Sequence, residues 1–436
     1  MVKIEAFAVE QWMDKYETTA KYNTAETCCA SVSIDDLRAL CEDKDKDPLS
    51  GLQSTKLTYG AIRGSDQLRE TLSNLYSAKI PGLTTKESIL ITNGAIQANF
   101  LLLYTLVGPG DHVICHYPTY QQLYSVPASL GAEVSLWKAN EAKDWQLDLE
   151  ELKTLIRPNT RMIIIKYVPK KMKEMASLSR LKDADQELSP SSNPQNPTGA
   201  IISRETLQGL VSVARESSIT VFADEVYRPI FHNISPMDPQ FPPSLLSLGY
   251  EHSVVTGSVS KAYSLAGLRV GWIASRNNSI IEACASSRDY TTISVGQLDD
   301  AVASFALAPE CIHSLLRRNI ELARTNLAIL EKFIESHRWA CDWIKPRAGT
   351  TAFVRFNKMG KPVNDVIFCE MLHDRKGVMF VPGSLCFGGG EEFQGYVRIG
   401  YACETQVLEQ GLDALRDFME DDYDEVPALK KVKKSQ

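Results

Sequence analysis

The sequence predicts an α/β protein: a mostly parallel sheet covered on both faces by helices, followed by a smaller α+β domain. Three observations carry this. From about residue 86, short apolar runs alternate with helical patterns. The runs are apolar throughout rather than at every second residue, as a sheet buried on both faces requires. Near residue 297 the alternation gives way to long helices, after which strands return.

Taken in order, "SILIT" is a strand followed by the helix "GAIQANFLLLYTLV", and "HVICH" is a strand followed by "TYQQLYSVPASLG". "RMIII" is the next strand; the helix "RETLQGLVSVARES" leads into "SITVFAD", and "SVVTGS" and "RVGWIAS" complete the series. The run "QLDDAVASFALAPECIHSLLRRNIELARTNLAILEKFIESH" is helical, and "TTAFVRF" and "GYVRIGYA" are strands of the second domain. These patterns divide the chain into an N-terminal segment packing with the small domain (1–50), a large domain (51–296), a small domain (297–420) and a disordered tail (421–436). The tail is assigned from its acidic and then basic composition. No internal repeat is visible.

Composition limits the partners. A net charge of -7 and a pI near 5.7 argue against nucleic acid, whose phosphates need a basic face. The N-terminus mixes charges and offers no apolar core of a secretory signal. The longest apolar stretch, "NFLLLYTLVGPG", is too short to span a bilayer. Ten scattered cysteines show no CxxC pair and no metal-like spacing, and read as reduced thiols of a cytoplasmic protein. The expectation is no membrane, no nucleic acid and no metal.

The strongest local pattern is "TGSVSKAYSLAGLRVGW", residues 256–272. Lys261 alone reads as a solvated surface charge. Here Ser258 and Ser260 precede it and Arg269 follows, and hydroxyls and a guanidinium around one amine suit a phosphate beside an electrophilic carbonyl. In "SITVFADEVY" an apolar strand ends at Asp224, with Tyr227 three residues on. A carboxylate at the C-terminal end of a parallel strand is where α/β sheets place ligand chemistry. In isolation it also fits a helix-capping Asp beside an exposed Tyr.

Together these residues resemble the pyridoxal-phosphate-dependent enzymes of fold type I, the aspartate aminotransferase superfamily of class I/II. The motifs occur in the family's order from about residue 56 to 415. The resemblance implies a seven-stranded, mostly parallel sheet and pyridoxal 5'-phosphate as cofactor. It implies that Lys261 forms the Schiff base with the cofactor, that Asp224 pairs with the ring nitrogen, and that Tyr227 and Asn196 hydrogen-bond the ring's phenolic oxygen. It places Gly94, Ala95 and Ile96 at the phosphate, on a helix N-terminus, with Ser258 and Arg269 as side-chain ligands. Tyr120 would stack on the ring. Tyr59 would reach the phosphate of a neighbouring subunit, which implies a homodimer with shared sites. Arg398 would clamp the substrate α-carboxylate, alongside Asn196, and "FVPGSLCFG" would lie near the substrate. Ordinary half-buried packing remains open for each tyrosine, and a structural ion pair for Arg398.

The resemblance implies transfer of an amino group from an L-amino acid to a 2-oxo acid, with Lys261 as acid and base. The same residues would serve a C–S lyase or an enzyme like aminocyclopropane-carboxylate synthase, and a non-catalytic relative of the fold is the remote alternative. Two departures stand out. Asp299 and Asp300 replace small apolar residues in a helix, which puts its packing in doubt. In addition, Lys166 to Ser192 interrupt the passage from "III" to "NPQNPTG", which runs directly in the family. The interruption reads either as a surface loop, since added length costs little closure entropy, or as an intron translated in frame. Codons for "KYV" can contain GTATGT, those for "DAD" can contain CTGAC, and that of Ser192 can supply AG. Excision would restore "MIIINNPQNPTGA".

Overall fold

The computed structural model describes residues 3–166, 195–200, 202, 204–232, 234 and 243–429. A seven-stranded sheet organises residues 89–275. Its strands are β1 (Ile89–Thr92), β2 (His112–Tyr117), β3 (Glu133–Lys138), β4 (Thr160–Ile165), β5 (Thr220–Asp224), β6 (Ser253–Ser258) and β7 (Gly271–Ser275). Their order is β1-β7-β6-β5-β4-β2-β3. β2 to β6 pair in parallel, and β7 alone runs antiparallel to its neighbours β1 and β6.

The apolar runs bury both faces, because successive side chains on a strand point opposite ways. Ile163 and Ile165 of β4, Val221 of β5 and Val255 of β6 join one core. Met162 and Ile164, Phe222 and Val254, each one residue away, join the core on the other face. Each such side chain contributes roughly 1.5–3 kcal/mol by leaving water. Edge strand β3, "EVSLWK", escaped the sequence reading. Its ends are exposed and only Trp137 is buried, so it lacks the continuous apolar signal of the inner strands.

The second domain carries a five-stranded sheet in which Thr351–Lys358 pairs antiparallel with Tyr396–Gly400. The long helix Pro309–Ser336 packs beside it. The N-terminal segment bridges the two units. Tyr22–Asn23 pairs with Val378–Met379 of the second unit, and Trp12 Nε1 donates to the Phe380 carbonyl. On the other side, Cys29 N donates to the Lys261 carbonyl of the first.

Two expectations need correction. The start of the tail is ordered: Arg375 pairs with Asp422 and Glu425 at 2.5 and 2.6 Å, and Leu429 N donates to the Pro362 carbonyl. The acidic cluster therefore has basic partners on the helix Asp365–Lys376, which composition alone does not reveal. Residues 430–436 lie outside the described residues. Asp300 does not disturb its helix. It is buried, and it accepts from Ser65 N at 2.9 Å and from Ser65 Oγ, tying Gln297–Leu307 to the N-terminus of the helix Asp66–Ser77. The interruption, apart from its first residue Lys166, also lies outside the described residues.

Candidate active site

A cavity of about 320 Å³ opens at the C-terminal ends of β4, β5 and β6. Ala95, Ile96, Tyr120, Asn196, Asp224, Tyr227, Ser258, Lys261, Arg269 and Arg398 all line it, so ten of the residues singled out from sequence meet in one place. Gly94 stands just behind Arg269. Tyr59 does not reach the cavity of its own chain; it is 73 % exposed.

One end of the cavity is fixed by strand register. Gly271 pairs with Thr92 on one side and with Ser258 on the other. That places Ser258 beside the N-terminus of the helix Gly94–Leu106, which follows β1. A side chain at Gly271 would fall 2.4 Å from the Gly94 carbonyl carbon, so only glycine permits this approach. Gly94 itself has φ +77°, and a Cβ there would lie 2.7 Å from Arg269 Nη2. The helix N-terminus, the Ser258 hydroxyl and the Arg269 guanidinium thus form a nest for an anion.

Lys261 follows β6 and is partly buried. Its Nζ donates to Thr27 Oγ1 at 2.6 Å and lies 3.4 Å from Cys28 Sγ and 3.5 Å from Glu26 Oε1. Burial works against its charge, but Cys28 and Glu26 outweigh that and hold its pKa above the ordinary lysine value. Burial likewise opposes the Glu26 charge, yet Lys261 and the N–H groups of Thr27 and Cys28 bring its pKa down to about 2. Glu26, Thr27 and Cys28 were missed in the sequence, because "ETCC" is no motif and approaches Lys261 only through the fold.

Asp224 ends β5, buried. Its Oδ1 accepts from Val226 N at 3.2 Å, and its Oδ2 lies 3.4 Å from Asn99 Nδ2 and 3.3 Å from Lys166 Nζ. Asn99 is held in turn by Thr256 Oγ1, at 2.7 Å from Asn99 Oδ1. Arg398 lies in the strand Tyr396–Gly400. Its Nη1 donates to Asn196 Oδ1 at 3.2 Å and its Nη2 to the Ala25 carbonyl at 2.9 Å. Its buried Nε has no partner among the described residues. No group of three or more potential metal ligands occurs among the described residues. Nor is any helix there long and apolar enough to cross a membrane.

The fold and the cavity define the class: a pyridoxal-phosphate-dependent enzyme of fold type I. Residues 35–415 match the family Aminotransferase class I and II, and the chain belongs to it. It is similar to capreomycidine synthase of Streptomyces vinaceus, 27% identical over 417 residues covering 95% of this chain and 94% of that one. It is also similar to aspartate aminotransferase of Thermotoga maritima, 27% identical over 369 residues covering 84% and 85%. Among solved structures, a PLP-dependent aminotransferase from Streptococcus suis superposes with a TM-score of 0.81 and is 38% identical, with 96% and 98% of the two chains covered.

The donor set fits the family's cofactor. It offers an amine for the aldehyde, a buried carboxylate for the ring nitrogen, and a cationic nest for the phosphate. One group does not fit: Lys166 brings a second amine to Asp224.

Proposed function

We propose that the protein is an aminotransferase moving an amino group from an L-amino acid to a 2-oxo acid, working as a cytoplasmic homodimer with shared sites. One juxtaposition carries the proposal: the Lys261 amine, the Asp224 carboxylate and the Arg398 guanidinium converge on a single cavity. Bound pyridoxal phosphate supplies the electron sink for the substrate's Cα–H bond. The residues do the rest. Ser258, Arg269 and the helix N-terminus at Gly94, Ala95 and Ile96 hold the phosphate. Asp224 keeps a proton on the ring nitrogen. Tyr120 covers the ring, while Tyr227 and Asn196 fix its oxygen. Arg398, seated by Asn196 and Ala25, presents its remaining N–H groups to the substrate carboxylate in the planar geometry that lysine lacks. Lys261 Nζ removes the Cα proton as a base and returns it as an acid.

A dimer is supported by large exposed apolar side chains: Leu57, two residues before Tyr59, is 79 % exposed, and Tyr290 is 94 % exposed. A second reading, elimination or ring closure on the same scaffold, is favoured by the match to a synthase along nearly the whole chain. Incubation of the holoenzyme with a panel of amino acids and 2-oxoglutarate or pyruvate separates the two. A new amino acid formed in step with a new 2-oxo acid supports transamination. Pyruvate with ammonia and thiol, or a cyclic amino acid, contradicts it.

A further inference from the structure

Lys166 is the one cationic side chain among the described residues lining the cavity for which the proposed chemistry has no use. It follows Ile165 at the end of β4, and the pairing of Ile165 with Ala223 sets it beside Asp224. The side chains of Lys166 and Asp224 are 3% and 2% exposed, with 3.3 Å between Nζ and Oδ2. The ammonium also lies between two rings, 5.4 Å from the centroid of Tyr120 and 5.2 Å from that of Tyr227. The Lys166 carbonyl accepts from Gln195 Nε2 at 2.6 Å, so the chain is back at the same place by residue 195.

Resting on the cofactor assignment, we infer that Lys166 is a tethered competitor of pyridoxal phosphate: its ammonium holds the carboxylate that the protonated ring nitrogen needs, and occupies space between the two tyrosines. A buried carboxylate stabilises one cation well. A second cation a few ångströms away meets like-charge repulsion with little water to screen it. The neighbouring His116 already feels that charge: burial first and Lys166 second push its pKa down to about 3. Cofactor therefore binds the fraction of molecules in which Lys166 has withdrawn, and the apparent affinity falls in proportion. The intron reading makes the same residue foreign, since excision leaves a neutral asparagine in place of residues 166–192.

The test is titration of the cofactor-free full chain with pyridoxal 5'-phosphate, followed by tryptophan fluorescence, against Lys166→Asn and Lys166→Arg. Lys166→Asn is expected to bind about tenfold tighter or better, and Lys166→Arg no tighter than the unmodified chain. If Lys166→Asn misfolds, Lys166→Gln or the chain with one asparagine for residues 166–192 takes its place. Equal affinity of the unmodified and neutral variants overturns the inference. The cofactor assignment is checked separately: Lys261→Ala must abolish covalent fixation of the cofactor by borohydride in either background, and if a fixed adduct survives, that assignment is what fails.

Discussion

The two ends of the cavity are built differently. The end at Ser258, Lys261 and Arg269 comes from one short run of chain and one strand-to-helix turn, locked by the register Thr92–Gly271–Ser258. The end at Asp224 draws on separate segments: Asn99 from a helix, Asp224 from β5, Lys166 from the first position of the interruption and Asn196 from beyond its end. A locally built end tolerates a change elsewhere in the chain. A composite end receives whatever that change puts beside it, here an extra cation.

The largest expected effect lies at the local end. Lys261→Ala should cut turnover by roughly 10²–10⁴-fold from the lost acid–base step alone, with circular dichroism unchanged. Arg398→Lys should raise KM for amino acids about 10–100-fold while leaving the cofactor titration intact, since it removes a charge-assisted, planar contact. If amines without a carboxylate are the better substrates of the unmodified protein, the clamp is wrongly assigned.

At the composite end, Asp224→Ala should cost the cofactor-free chain about 3–5 kcal/mol, because it strands the buried Lys166 ammonium. In a Lys166→Asn background the same substitution should cost clearly less, and a double-mutant cycle by urea unfolding measures the difference. Away from both ends, Asp300→Ala should lower stability by about 1–3 kcal/mol through the unpaired Ser65 N–H, without touching cofactor affinity.

The smallest effect concerns Glu26. Its folded pKa lies below the unfolded value, so its contribution is present above about pH 4.5 and is lost as pH falls toward about 2. Glu26→Gln should remove that part of the acid-side slope. Solvent reaches the side chain, so the gain is screened to about half a kcal/mol or less. Thermal melts across this pH range would show it.

Much of this was legible in the sequence because it rests on local rules. The inner strands announce themselves by unbroken apolar runs, and Ser258, Lys261 and Arg269 lie within one short stretch. What could not be read depends on distant partners. β3 is an edge strand with a diluted signal. Glu26 and Cys28 meet Lys261 only through tertiary packing, and Asp300 looked misplaced until Ser65 appeared opposite it. Lys166 was visible as an oddity of the interruption, but its contact with Asp224 follows from the pairing of β4 with β5.

The division of labour between the two lysines has a direct test. Borohydride treatment of the cofactor-loaded protein fixes the cofactor to the amine that holds it, and peptide mass spectrometry locates the adduct. The adduct is expected on the peptide containing Lys261, with the Lys166 peptide unmodified. An adduct on Lys166, or none on Lys261, would contradict the assignment of one lysine as the cofactor's partner and the other as its competitor.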